Sequence, residues 1–126
     1  MKTTHVKVAK RDFALAFTLD ALADLQDMIE GFDLGALSNY VRSPRHIADL
    51  IYVLAKQGEL LDGRTLDVDR AWIGSHLSPS PANMARVQVA VMNCLADGLK
   101  METEEDDDGE VDVTLEEIKK KEVKEN

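Results

Sequence analysis

The chain has 126 residues, of which 44% are hydrophobic and 31% charged, a single cysteine, Cys94, and a formal net charge of −9. That length makes one domain the default, with a core that needs neither a metal nor a disulfide staple. A lone cysteine excludes an intrachain disulfide and fits a reducing, intracellular compartment, while apolar runs far short of roughly 20 residues exclude a membrane span and a membrane partner.

The charge is unevenly placed. Residues 101–126 hold 12 acidic residues and 4 lysines, a net of −8, while residues 1–100 hold 12 acidic and 11 basic residues, a net of −1. A phosphate-binding surface needs concentrated positive charge, and aromatics, the stacking platforms for single strands, are only 5% of the chain. No nucleic-acid partner is expected, and a helix–turn–helix across residues 44–77 is disfavoured on the same ground.

From the N-terminus, Val6 and Val8 alternate with Lys7, and Phe13, Leu15 and Phe17 repeat at period two. That alternation predicts a short β-hairpin with Lys10, Arg11 and Asp12 as its polar turn. Thr18 is placed to cap a first helix ending near Glu30, before Gly31. Leu22, Leu25 and Ile29 fall on one side of it, and Asp20, Asp24 and Asp27 on the other. Phe32 to Val41 reads as a short helix.

Ser43-Pro44 is a start signal, with a capping serine followed by proline at the first helical position. The helix is expected to reach Gln57 and to stop at Gly58, with Ile47, Leu50, Ile51 and Leu54 as its apolar stripe. Arg45 and Asp49 are four residues apart and are expected to pair. After the Asp62-Gly63 turn, Asp67 is expected to cap a short helix through Trp72, Ile73 and Leu77.

Ser80-Pro81 repeats the cap-plus-proline device and opens a helix over 81–99. Met84, Val87, Val91, Cys94, Leu95 and Leu99 occupy one sector of it, and Ala85, Val89, Met92 and Ala96 widen that sector past half the circumference. Asn83, Arg86, Asn93 and Asp97, with Ala90 among them, form a narrow polar stripe. A helix this apolar is either central to the core or has a face left over for a partner. Glu104 to Asp108 is a block of like charge expected to be disordered, and Thr114 is placed to cap a last amphiphilic stretch, Leu115 to Val123. The expected fold class is mainly α: a bundle of four to five helices over residues 1–100 with a short N-terminal β-hairpin, then an acidic, disordered tail over 101–126.

The sequence carries no pattern for catalysis. His5, His46 and His76 are widely separated, Cys94 lies on an apolar stripe as a small buried hydrophobe, and no phosphate loop, dinucleotide fingerprint or zinc set is present. No enzyme activity and no cofactor are expected. The carboxylates of Asp20, Asp24 and Asp27 read as a solvated helix face, with the first-turn acid favoured by the helix dipole. Glu104 to Leu115 resembles a calcium loop, with Glu104, Asp106 and Asp108 at its first ligand positions, Gly109 at its sixth and Asp112 at its ninth. Its twelfth position is Leu115 rather than a bidentate glutamate, so a metal site is not expected and weak calcium binding is only a minor alternative. For function, the helix 81–99 is the candidate: Met84, Val87, Val91, Met92 and Leu95 are the expected partner-binding residues, methionines giving an adaptable surface for apolar helices.

Residues 13–98 resemble the small tail assembly chaperones of long-tailed bacteriophages and related gene transfer agents. The likeness rests on Phe13-Ala-Leu-Ala-Phe-Thr-Leu-Asp-Ala-Leu-Ala-Asp-Leu25, on Pro44-Arg-His-Ile-Ala-Asp-Leu-Ile-Tyr-Val-Leu54 and on Thr65-Leu-Asp-Val-Asp-Arg-Ala-Trp-Ile73. It covers about two-thirds of the chain and rests on apolar spacing and short words rather than on a chemical motif.

The resemblance implies a protein that binds the helical, aggregation-prone tape measure protein and aids polymerisation of the tail tube. It also implies homo-oligomers, the cytoplasm of a bacterial host, absence from the mature virion, and a longer frameshifted form that meets the tail tube protein. Lys119, Lys120 and Lys121 are compatible with a slippery run of adenines. The acidic tail departs from the family pattern. A structural virion component such as a head–tail connector is the alternative.

Overall fold

The structure, a computed structural model, describes the backbone of residues 4–107 and side chains as far as residue 100. By its internal contacts the chain divides into one unit ending at Leu95 and a second beginning at Ala96. Of the expected tail, 101–126, the backbone is described as far as 107, where it is helical, and residues 108–126 lie outside the described residues.

The first unit opens with the hairpin. Strands β1 (Thr4–Val8) and β2 (Arg11–Leu15) pair antiparallel, with Val6 opposite Phe13 and Val8 opposite Arg11. The turn is Ala9-Lys10, not the expected Lys10-Arg11-Asp12. Both turn residues have positive φ, 53° and 72°, as two-residue hairpin turns of the primed type require. Arg11 and Asp12 therefore belong to β2, where Arg11 lies over the Phe13 and Trp72 rings at 4.9 and 5.6 Å. Val6, Val8, Phe13 and Leu15 are buried, as the alternation predicted.

Helix α1 (Leu19–Met28) is capped by Thr18, whose Oγ1 accepts from the Ala21 N–H at 3.2 Å. It ends at Met28, two residues short of expectation, because Ile29 is already extended. A turn of 3-10 helix at Leu34–Ala36 leads into the short α2 (Leu37–Val41). The ring of Tyr40 stacks on Phe32 with centroids 5.3 Å apart, and its hydroxyl accepts from the Asp33 N–H, pinning this segment.

The centre of the unit is α3 (Pro44–Leu61), against which β2, α1, α2 and α4 all pack. Pro44 stands at its first position as expected, but Ser43 makes no side-chain cap bond. The helix passes through Gly58 instead of stopping there, because Gly58 is a point of close approach. A Cβ at that position would overlap the Ala14 carbonyl and the Leu15 nitrogen. The edge of β2 that β1 leaves unpaired is covered by the same helix: Ala14 N–H donates to the Glu59 carboxylate at 2.8 Å and Ala16 N–H to the Leu54 carbonyl at 3.0 Å. An open strand edge is thereby closed.

Helix α4 (Arg70–His76) is capped by Asp69, whose Oδ1 accepts from the Trp72 N–H at 2.8 Å. Asp67, the expected cap, is instead held by Arg11 at 2.7 Å, 56 residues away in sequence. Asp49 likewise pairs not with Arg45 but with the Arg70 Nε at 2.6 Å, joining α3 to α4.

Helix α5 runs from Pro81 to Asp107. Ser80 caps it, its Oγ accepting from the Asn83 N–H at 3.2 Å. Five α-helices and a two-stranded hairpin among the described residues match the expected class. No described helix is long and apolar enough to cross a membrane.

Candidate interaction surface

Within the first unit, α5 presents two unlike faces. Val87, Val91, Cys94 and Leu95 recur at helical spacing and are at most 2% exposed, so they belong to the core. Ala85, Val89 and Met92 share a second stripe on nearly the opposite side. Val89 is 59% exposed and Met92 40%, large exposures for apolar side chains on a packed helix.

This second stripe forms one wall of a groove of about 420 Å³. Gln88 and Asn93 flank it on α5, and Ser38, Val41 and Arg42, from α2 and its end, make the other wall. Val41 is itself 1% exposed, so the groove floor is continuous with the core. The surface is therefore apolar along its length, with polar side chains at its margins. Apolar grooves with polar margins are a general shape for the docking of apolar helices.

The five candidate residues thus divide. Val87, Val91 and Leu95 are interior packing residues, while Met92 stands in the groove. Met84 is half-buried and lines a smaller cleft of about 200 Å³, where α3, α4 and α5 meet beside Pro44, Leu77 and Pro79. Arg70, on the rim of that cleft, is already committed to Asp49 and to the Arg45 carbonyl. Val89 and Ala85 belong to the apolar sector legible in the sequence but lie outside the five candidates. Arg42 and Ser38 are not legible there, since nothing local ties a short helix to one more than 40 residues later.

The titratable groups are placed by separate neighbours. His5 meets Asp12 at 2.7 Å across the hairpin, and His46 meets Asp49 at 3.5 Å. The His76 ring stacks on Trp72 with centroids 4.1 Å apart, its Nδ1 2.8 Å from the Trp72 carbonyl. Asp24 of the helix-face carboxylates pairs with Lys56 at 3.4 Å. Among the described residues no three His, Cys, Asp or Glu side chains converge to hold a metal ion. The calcium-loop pattern falls on side chains that lie outside the described residues. Cys94 is buried at 2% exposure among the core residues of α5.

Among the described residues one charged side chain is buried. Glu59, its side chain 8% exposed, receives the Arg64 Nε at 2.7 Å on Oε1, while Oε2 accepts from Ala14 N–H. The hydrogen bond from Arg64 holds the carboxyl below its ordinary value, against the opposing effect of burial and with help from Ala14. This pair belongs to the seam between β2 and α3, away from the groove.

No protein-family model matches the chain, and no curated protein or solved structure is significantly similar to it.

Proposed function

We propose that this chain is an assembly chaperone that shields apolar helices of a tape measure protein, acting by reversible, stoichiometric binding without catalysis. The observation that carries the reading is the groove between α2 and α5, where Val89 and Met92 leave apolar surface open beside Val41. Methionine is unbranched and polarizable, so Met92 adapts to clients whose side chains vary along a long helix. Burying apolar surface gains about 25 cal/mol per Å², so a groove of this size gives a modest gross gain, much of it offset by lost association entropy. Weak single contacts suit a protein that must be released when the tail tube forms. Many copies along one client, or an oligomer of this chain, restore affinity by raising the effective concentration. A net of −8 on residues 101–126 opposes nonspecific association of copies that carry such a surface.

The test is co-expression with a tape measure protein from the same genome. The wild-type chain is expected to keep that protein soluble and to co-purify with it, and the double variant Val89→Asp, Met92→Asp to do neither. A tape measure protein equally soluble with and without this chain overturns the reading.

A further inference from the structure

We infer that the groove between α2 and α5 selects an amphipathic helix carrying a carboxylate beside its apolar stripe, with Arg42 as the residue that reads that charge. The inference rests on the groove being the client site.

The walls decide the form of the occupant. The α5 wall lies inside a long helix whose backbone N–H and C=O groups are spent along its own axis, so it offers no ladder to an extended strand. An entering strand would leave its own polar groups unmatched, whereas a helix brings them already satisfied. From Ala85 through Val89 to Met92 the stripe advances seven positions along α5, about 10 Å at about 1.5 Å per residue, which matches two turns of a docked helix.

The rim decides its charge. Among the described residues, Arg42 is the one charged side chain lining the groove, and no carboxylate lines it. Three arginines of this unit hold acids, Arg11 with Asp67, Arg64 with Glu59 and Asp62, and Arg70 with Asp49, and Arg86 is spent on the Lys7 carbonyl and the Asn83 side chain. Arg42 makes only a 3.4 Å contact with the Asn39 side-chain oxygen and has no acidic partner among the described residues. A guanidinium left at the edge of an apolar groove offers a planar fork of donors suited to a carboxylate. The same placement argues against a second copy as occupant. A two-fold contact through this groove would set Arg42 against Arg42 with no lining acid to separate them.

The test uses the full chain and two labelled, stapled helical peptides of about 15 residues, followed by fluorescence anisotropy. They share a leucine stripe at i, i+4 and i+7 and differ by a glutamate or a lysine at one flanking position. The glutamate peptide is expected to bind about fivefold more tightly, as a rim ion pair allows. Arg42→Ala should erase that preference, and the uncharged change Met92→Ser should weaken both peptides alike. The proposal is overturned if the peptides bind equally to the wild type, if the preference survives in Arg42→Ala, or if neither binds. It is also overturned if sedimentation shows a dimer that Met92→Asp dissolves, since a second copy then fills the groove. The two readings separate cleanly. Charge selectivity toward peptides without any effect on the tape measure protein defeats the chaperone role alone, and the converse defeats only the role of Arg42.

Discussion

Gly58 of α3 lies so close to Ala14 of β2 that a Cβ at position 58 would meet the Ala14 carbonyl carbon and oxygen. Because these are backbone atoms, no rotamer change relieves the overlap. Helix propensity alone favours Gly58→Ala by about 1 kcal/mol. The displacement of α3 from β2 has the opposite sign and is larger, since overpacking costs about 1–3 kcal/mol and the Ala14–Glu59 and Ala16–Leu54 bonds lengthen with it. Gly58→Ala is expected to destabilise the protein by about 2–4 kcal/mol in urea unfolding. A stabilised variant would mean that the seam is looser than described.

The neighbouring Glu59 makes the same seam sensitive to acid. Its hydrogen bond from Arg64, reinforced by Ala14 N–H and opposed by burial, lowers its pKa from the ordinary 4.5. In the unfolded chain the carboxyl takes up its proton near that ordinary value, while the folded chain resists until a lower pH. The stabilisation is therefore complete above the ordinary value and is lost as pH falls through the folded one. Glu59→Gln is expected to cost about 1–3 kcal/mol at neutral pH, because a buried partner set is broken. Thermal melts over a pH series check this: the gap between wild type and variant should narrow on acidification below about pH 4.5. A gap that stays constant across the series would detach the acid response from Glu59.

At the hairpin tip, Ala9 and Lys10 both occupy left-handed backbone, with φ of 53° and 72°. That conformation costs a residue with a Cβ about 1–2 kcal/mol relative to glycine, and asparagine tolerates it better than most. Replacing Ala9-Lys10 by Asn-Gly is expected to stabilise the fold by about 1–2 kcal/mol. In a unit of this size the melting temperature should rise by about 4–8 °C per kcal/mol. An unchanged or lowered melting temperature would show that the turn is not what limits the hairpin.

Which features could be read in advance follows from how local their causes are. Thr18, Ser80 and the two prolines Pro44 and Pro81 act within one helical turn, so the starts of α1, α3 and α5 stood in the sequence. The role of Gly58 did not, because a glycine that ends a helix and one that admits a strand look alike until Ala14 is brought against it. The cap of α4 was misplaced for a related reason: Asp67 and Asp69 are equivalent by spacing, and only Arg11 distinguishes them. On α5 the two-sided apolar pattern was legible. Its division into core and open faces was not, since that depends on where α2 stops short of covering Val89 and Met92.

Adjacent residues on α5 test that division most directly. Val91 is fully buried, whereas Met92 is 40% exposed in the groove. An aspartate at position 91 must carry an uncompensated charge into the core or unfold the unit, so Val91→Asp is expected to cost at least about 3 kcal/mol. Met92→Asp places its charge in solvent and should change stability by no more than about 0.5 kcal/mol. Circular dichroism melts of the two variants distinguish a core residue from a docking residue without any partner present. Were Val91→Asp tolerated as well as Met92→Asp, the packed side of α5 would be open to a client too, and Val87 and Leu95 would return as contact residues. Were Met92→Asp to unfold the protein, the groove would be part of the core and the docking surface would have to lie elsewhere.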